Sequence, residues 1–341
     1  MHATAATASA TAVAALLAAG VPERSAHLQA DLLVDAELRG LPSHGLLRLP
    51  RLLERIDNGV ANPTTTGRAK WTADALLDVD GENGLGPVVA TAALDAVRER
   101  AKTTGIACAS IRSNNHLGAL AWYVRRIAEG GQICIAFTTS EALVHPYGGR
   151  TALVGSNPIA IGVPAHPRSL VFDMATSVVS MGKIHDYANR GEPLAVGWAL
   201  DQHGEPTTDA AAARSGAIAP FGGAKGYGLG IALGALVASM TNTSLGTEVK
   251  GTLDSVNIPT KGDIFIVAQT HSEDSSHQVS AYLDEVRNSP AARADTPVAI
   301  PGDRSDARRA EATVEGVDIP DGIWDRIVAR ASATTHTLET V

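Results

Sequence analysis

Cysteine is nearly missing from this chain, with Cys108 and Cys134 the only two among 341 residues. Both lie inside apolar, strand-like runs and neither belongs to a zinc-ligand spacing, so a disulfide framework is excluded and no metal site is expected. They read as buried thiols of a reducing, cytoplasmic compartment. An excess of basic residues is missing as well: 28 Lys and Arg stand against 36 Asp and Glu, a net charge of −8. Without a basic stripe to neutralise phosphates, nucleic acid is not an expected partner. Long hydrophobic runs are absent. The most apolar stretch, Leu229 to Met240, falls far short of the roughly 20 residues that span a bilayer, so no membrane segment is expected. The Ala- and Thr-rich start, Met1 to Gly20, lacks the basic lead of a secretory signal and reads as an amphipathic first helix.

Familiar motifs are wanting too. No G-x-G-x-x-G follows a strand, since Gly226, Gly228 and Gly230 have the wrong spacing, and no Walker A sequence occurs. Both absences count against a Rossmann or P-loop domain. A G-x-S-x-G elbow is also absent, which weakens a serine hydrolase built on Ser43 and His44, whose adjacent side chains are not expected to face each other.

What is present is 45% apolar and 19% charged residues, the balance of a globular enzyme long enough for a large core or about two domains. Residues 1 to 70 read as helix-rich, and Asn62 to Gly67 as a linker of turn formers. β-favouring runs follow at Leu76 to Val79, Ile106 to Ile111, Ile133 to Phe137, Ile159 to Val163, Leu170 to Met174 and Ile264 to Ala268. Helices are expected at Pro87 to Thr103, Leu117 to Glu129, Leu229 to Met240 and Ser276 to Arg287, then at Arg304 to Thr313 and Asp321 to Ala331. The pattern predicts an α/β (α+β) chain, with a helical domain from residues 1–70 and 300–341 and an α/β domain over residues 71–299.

Three segments carry chemistry. Ser113-Asn114-Asn115-His116-Leu117-Gly118 places an imidazole between an apolar strand and a helix, where rigid elements hold it while its ring stays reachable. Pro42-Ser43-His44-Gly45-Leu46-Leu47-Arg48 places a second histidine before an amphipathic segment. If Ser43 or His44 caps that helix, Arg48 falls on the side of His44 one turn in. Phe221-Gly222-Gly223-Ala224-Lys225-Gly226-Tyr227-Gly228 precedes an apolar helix, so free backbone N–H groups and the Lys225 charge suit a phosphate or carboxylate. A helix cap, a solvated arginine and a tight turn are the plain alternatives for the last two. Together the three suggest an imidazole, a guanidinium and an ammonium converging on one cleft.

These blocks, with GSNPIAIGVP at 155–164, VFDMATS at 171–177, MGK at 181–183, GWALDQHGEPTTD at 197–209 and PGD at 301–303, resemble the NAD(P)-dependent malate/L-lactate dehydrogenases of the second type. Those sulfolactate-dehydrogenase-like oxidoreductases also include ureidoglycolate dehydrogenase, diketogulonate reductase and piperideine/pyrroline-carboxylate reductases. The resemblance covers nearly the whole chain. It implies a non-Rossmann cofactor domain on a mixed, largely antiparallel sheet, an intertwined homodimer, and NAD or NADP as cofactor. It also implies hydride transfer between a small 2-hydroxy acid and its 2-oxo acid. A cyclic 2-imino acid reductase and a non-catalytic nucleotide-binding paralogue are the alternatives.

Reducing a 2-oxo acid leaves charge on oxygen that a positioned acid must meet, and a guanidinium suits the carboxylate. The resemblance implies His116 or His44 as the acid/base, with His116 preferred, and Arg48, Ser43 and Asn115 at the substrate. For the cofactor it implies Ser140, the run Asp173-Met174-Ala175-Thr176-Ser177, Lys183, Lys225, Gly226 and Gly302. Departures from the family pattern stand at Arg51-Leu52, where an aromatic residue is expected, at Glu141, over Thr243 to Thr260, and at Lys261-Gly262-Asp263.

Overall fold

The structure, a computed structural model, describes residues 1–293 and 295–333. The chain opens with a short strand, β1 (His2–Ala3), and two helices, α1 (Ala5–Ala18) and α2 (Glu23–Leu38). The Thr4 side chain accepts the Thr7 N–H (3.1 Å) and so caps α1. Two 3₁₀ turns, Pro42–His44 and Leu46–Arg48, then lead into α3 (Leu49–Asp57). Neither Ser43 nor His44 caps that helix, contrary to expectation. Arg48 holds the cap position, because Pro50 is accommodated only within a first helical turn.

The middle of the chain alternates: β2 (Arg68–Ala73), β3 (Leu76–Gly84), α4 (Gly86–Thr104), β4 (Ile106–Asn114), α5 (Leu120–Glu129) and β5 (Gln132–Thr138). Short strands follow, β6 (Ala142–Val144), β7 (Val154–Gly155), β8 (Ile159–Val163) and β9 (Leu170–Met174), then α6 (Met181–Arg190), β10 (Ala199–Leu200), β11 (Pro206–Thr207), α7 (Ala210–Ala213) and β12 (Ala217–Ile218). The last third holds α8 (Ala224–Thr241), β13 (Gly262–Gln269), α9 (Glu273–Arg287), α10 (Asp303–Glu315), β14 (Val317–Asp318) and α11 (Asp321–Ser332). Sequence patterning placed the main helices but missed β2 and α6, and it began α5 three residues early. Gly118 at φ 73 and the extended Ala119 keep the chain out of a helix until Leu120.

Seven strands form the main sheet in the order β2-β3-β4-β13-β5-β8-β9. Only β3 and β4 run parallel, joined across α4, and every other pair is antiparallel. The mixed, largely antiparallel sheet is the expected one. β13 comes from far along the chain yet inserts between β4 and β5. Its period of two sends Phe265 and Val267 into one core and Ile264 into another, against α8. The first core runs without interruption from α1, α2 and α11 through α4 and α5 to the sheet, so helices from both chain ends share it with the strands. Asn62 is tied to the sheet through its N–H to the Asn83 carbonyl (2.8 Å). Residues 334–341, the end of the expected helical domain, lie outside the described residues. Among the described residues no helix is long and apolar enough to cross a membrane.

Candidate active site

His116 follows directly on the end of β4, and its surroundings leave it little freedom. The Nδ2 of Asn114 donates to Asp263 (2.9 Å). Asn115, 1% exposed, spends its amide on the protein. Its Nδ2 donates to the carbonyls of Asn83 (2.6 Å) and Gly84 (3.0 Å), and its Oδ1 accepts from Arg55 Nε (2.8 Å). Asn115 therefore positions its neighbour rather than offering a free group to a substrate. The facing ends of β3 and β4 are strained: Glu82, Asn83 and Ser113 have φ of 50°, 58° and 51°, a conformation that costs on the order of 1 kcal/mol each and persists only where surrounding contacts impose it.

Two glycines let the loop close in. A Cβ on Gly86 would stand 2.2 Å from the His116 carbonyl oxygen, and one on Gly118 would stand 2.2 Å from Leu32 Cδ2. The Gly118 N–H donates to His116 Nδ1 (3.0 Å). A backbone N–H can only donate, so Nδ1 carries the lone pair and the neutral ring holds its hydrogen on Nε2.

The turn bearing Ser43 and His44 is gripped by Glu37 of α2, whose buried carboxylate accepts the Leu46 N–H (2.6 Å). Contrary to expectation, the adjacent side chains do meet: Ser43 Oγ and His44 Nδ1 share a hydrogen bond of 3.1 Å. The tight 3₁₀ turn and the short serine side chain allow it. The rings of His44 and His116 lie 5.7 Å apart, centroid to centroid. Neither Nε2 has a protein partner among the described residues. Arg48 donates through Nε to the Ser43 carbonyl (2.8 Å) and through a terminal N–H to the Thr252 carbonyl (3.3 Å), with no carboxylate in ion-pair contact among the described residues. Arg48, Arg51, Arg55, His116, Gln29 and Thr252 line one cleft with Leu32, Leu33 and Leu52. Burial, then the Arg48 charge, pulls His44 down to about 4. Burial and the charges of Arg48, His44, Lys261 and Arg55 hold His116 well below the ordinary histidine range. Both imidazoles rest neutral.

Sequence reading singled out Lys261-Gly262-Asp263 only as a departure from the family pattern; in the structure the Lys261 charge adds to the depression of His116, after burial, Arg48 and His44. Lys261 Nζ donates to both oxygens of Asp263 (2.5 and 2.6 Å), and the pair is 1% and 0% exposed. Thr138 Oγ1 and Asn114 Nδ2 complete the Asp263 shell. Lys261 directly precedes β13, and at period two Asp263 and Phe265 fall on one side of that strand while Ile264 falls on the other. Glu141, another departure from the family pattern, accepts the N–H groups of Thr252 and Leu253 (both 2.8 Å) and so fixes the segment that bears on Arg48.

Of the residues that the resemblance implicates in cofactor binding, Ser140 and Thr176 gather around Ser156, and the others lie in separate surroundings. Ser140 Oγ contacts Ser156 Oγ (3.1 Å), Thr176 Oγ1 donates to the Ser156 carbonyl (2.9 Å), and Ser177 pairs with Pro220 just before α8. Met174 and Ala175 continue β9 into this cluster. Asp173 accepts the Ala121 N–H (2.8 Å) and thereby caps the first turn of α5. Gly302, at φ 99, lies against Val171 of β9. Lys183 stacks over Trp198 (5.0 Å) on α6, whose Gly182 packs against Ser43. Lys225 is exposed at the start of α8, outside the His116 cleft and without a partner among the described residues. Gly226 is required there, since a Cβ would lie 2.0 Å from the Phe221 carbonyl. No side chain caps α8, so its first N–H groups and the free Lys225 charge suit a pyrophosphate, and the residues fit a dinucleotide.

Residues 3–328 match the malate/L-lactate dehydrogenase family. The chain belongs to that family. It is 33% identical over 312 residues to an L-sulfolactate dehydrogenase of Methanocaldococcus jannaschii, covering 90% of each chain. It is 33% identical over 324 residues to a (2R)-3-sulfolactate dehydrogenase (NADP(+)) of Chromohalobacter salexigens, covering 94% of this chain and 95% of that one. A dehydrogenase from Sinorhizobium meliloti with a solved crystal structure superimposes with a TM-score of 0.93 at 50% identity, over 97% of this chain and 98% of that one.

Proposed function

We propose that this chain is an NAD(P)-dependent dehydrogenase that interconverts a small 2-hydroxy acid and its 2-oxo acid. The observation that carries the reading is one cleft holding a guanidinium with no carboxylate partner, Arg48, beside a neutral imidazole, His116. Arg48 takes the substrate carboxylate, its orientation set by the Ser43 and Thr252 carbonyls. His116, its Nδ1 occupied by Gly118, offers Nε2–H to the oxygen on C2 and stabilises charge there as a neutral donor. A ring in that tautomer has no lone pair at Nε2, so the proton that leaves or joins the oxygen is carried by His44 in the tautomer whose Nδ1–H donates to Ser43 Oγ and whose Nε2 lone pair is free. Bound NAD(H) or NADP(H) supplies or accepts the hydride. Lys225, Gly226 and the α8 N-terminus hold its phosphates, with Ser140, Asp173 to Ser177, Lys183 and Gly302 contributing to the same binding surface.

Two further assignments go with this reading. The helices of the two chain ends act as one unit that carries Ser43, His44 and Arg48 to the sheet. The enzyme is a homodimer through α8, whose solvent-facing stripe includes Ile231 (46% exposed), Leu236 (42%) and Met240 (39%).

The test follows NADH and NADPH absorbance with a panel of 2-oxo acids and cyclic imino acids. Turnover of 2-oxo acids is expected. His116→Ala lowers kcat by about 100- to 1,000-fold, the cost of one lost oxyanion donor, with little change in dinucleotide affinity, and Arg48→Ala acts mainly on KM for the acid. Dinucleotide binding without turnover of any acid defeats the proposal.

A further inference from the structure

We propose that Arg51 is a specificity-determining residue of this cleft, the group that receives a second anion, carboxylate or sulfonate, on a 2-hydroxy or 2-oxo acid and so sets the preference for dianions over monoanions. This rests on the dehydrogenase reading above and narrows it. Arg48, Arg51 and Arg55 stand at the cap, the third and the seventh following positions of α3, the spacing that puts side chains on one helix face. All three line the His116 cleft, and no Asp or Glu lines it. In a chain of net charge −8, that is a local concentration of positive charge at the substrate site, only partly offset by Asp254 and Glu141.

The three guanidinium groups are not equivalent. Arg55 is buried and fully engaged, donating to Asn115 Oδ1 (2.8 Å) and the carbonyls of Asp254 (2.7 Å) and Asn257 (2.9 Å), with the Asp254 carboxylate at 3.9 Å. Arg48 is oriented by two carbonyls and has charge to spare for one carboxylate. Arg51 is exposed at the cleft and makes no hydrogen bond or ion pair among the described residues. The nearby carboxylate of Glu141 is spent on Thr252 and Leu253. The positive charge of Arg51 bears on both Arg48 and Arg55 and disfavours their charged forms.

A monoanion such as lactate, or a cyclic imino acid with one carboxylate, answers Arg48 and leaves Arg51 unpaired. A dianion answers both and relieves their repulsion. Groups one helical turn apart have Cβ atoms roughly 5–6 Å apart, which matches a second anion one or two carbons beyond C2.

The experiment compares kcat/KM for oxaloacetate and sulfopyruvate with that for pyruvate and piperideine-2-carboxylate, in the wild-type protein and in Arg51→Gln and Arg51→Lys, at saturating dinucleotide. A charge-assisted hydrogen bond of typical strength corresponds to roughly 10- to 100-fold. The expected result is that Arg51→Gln lowers kcat/KM for the dianions by about that factor, leaves pyruvate within a few-fold, and leaves KM for the dinucleotide unchanged. Arg51→Lys retains part of the dianion preference. Equal losses on dianions and monoanions, a wild-type preference for pyruvate or the cyclic imine, or a rise in dinucleotide KM alone would each overturn the assignment. If no 2-oxo acid of either charge is turned over, it is the dehydrogenase reading itself that fails.

Discussion

A proton carrier works best when its charge state is set by its surroundings, and His44 is a histidine whose surroundings forbid charge. Burial and Arg48 hold it at about 4, against 6.5 for a free imidazole. The sign for catalysis follows: oxidation of a hydroxy acid needs the neutral ring, so kcat/KM in that direction stays level as pH falls through 6.5 and drops only as it approaches 4. His44→Gln is expected to slow oxidation and remove that acidic limb, measured as a pH profile of kcat/KM. Retention of the same limb in the variant would reassign the proton to another group. At this scale the sequence was partly legible. The choice of His44, Arg48 and His116 followed from residue types at turns and from the family resemblance, and the structure puts the two rings 5.7 Å apart and Arg48 in the His116 cleft. The tautomer of His116 did not, because it depends on where the Gly118 N–H points, and that is set by packing of Gly118 against Leu32.

Strand β13 decides more than its length suggests. It inserts between β4 and β5 and carries Asp263 to within reach of Asn114 and Thr138, so the end of β4 that bears His116 is tied to a segment about 150 residues away. Removing one member of a buried ion pair leaves the other charged and dry, at a cost of roughly 3–5 kcal/mol, whereas replacing both by apolar residues is often near neutral. Lys261→Met is therefore expected to lose stability of that order in urea unfolding, and Lys261→Met with Asp263→Asn to recover part of it, because the amide oxygen removes the unpaired buried charge and still accepts from a donor of Asn114 or Thr138. Equal stability of the single and double variants would show that the pair is not the support. Element identity was readable from periodicity, as β4, β5, β8 and β9 show. Insertion of β13 was not, because strand order depends on which edges are free when the chain returns.

For the molecule as a whole, the surface of α8 poses a physical problem, since an apolar stripe of this kind on an isolated chain costs hydration. A second copy covering it resolves the cost. Leu236→Lys is expected to shift the protein toward monomer in sedimentation, at constant concentration, and to lower thermal stability. An unchanged molecular mass that is already that of a monomer in the parent protein would remove the dimer from the proposal.

From the residues alone came an α/β chain, the absence of a Rossmann fingerprint and the three segments that carry charge and imidazole, because these depend on composition, period and local order along the chain, while the family and its largely antiparallel sheet came from the resemblance of ordered sequence blocks. Tertiary structure alone decided that a buried Lys261–Asp263 pair backs the end of β4, that Asn115 spends its amide on Asn83, Gly84 and Arg55, and that three arginines line one cleft with no acid among the described residues. Those are distances between residues far apart in sequence, settled only when β13 and the helices from both chain ends pack against one sheet.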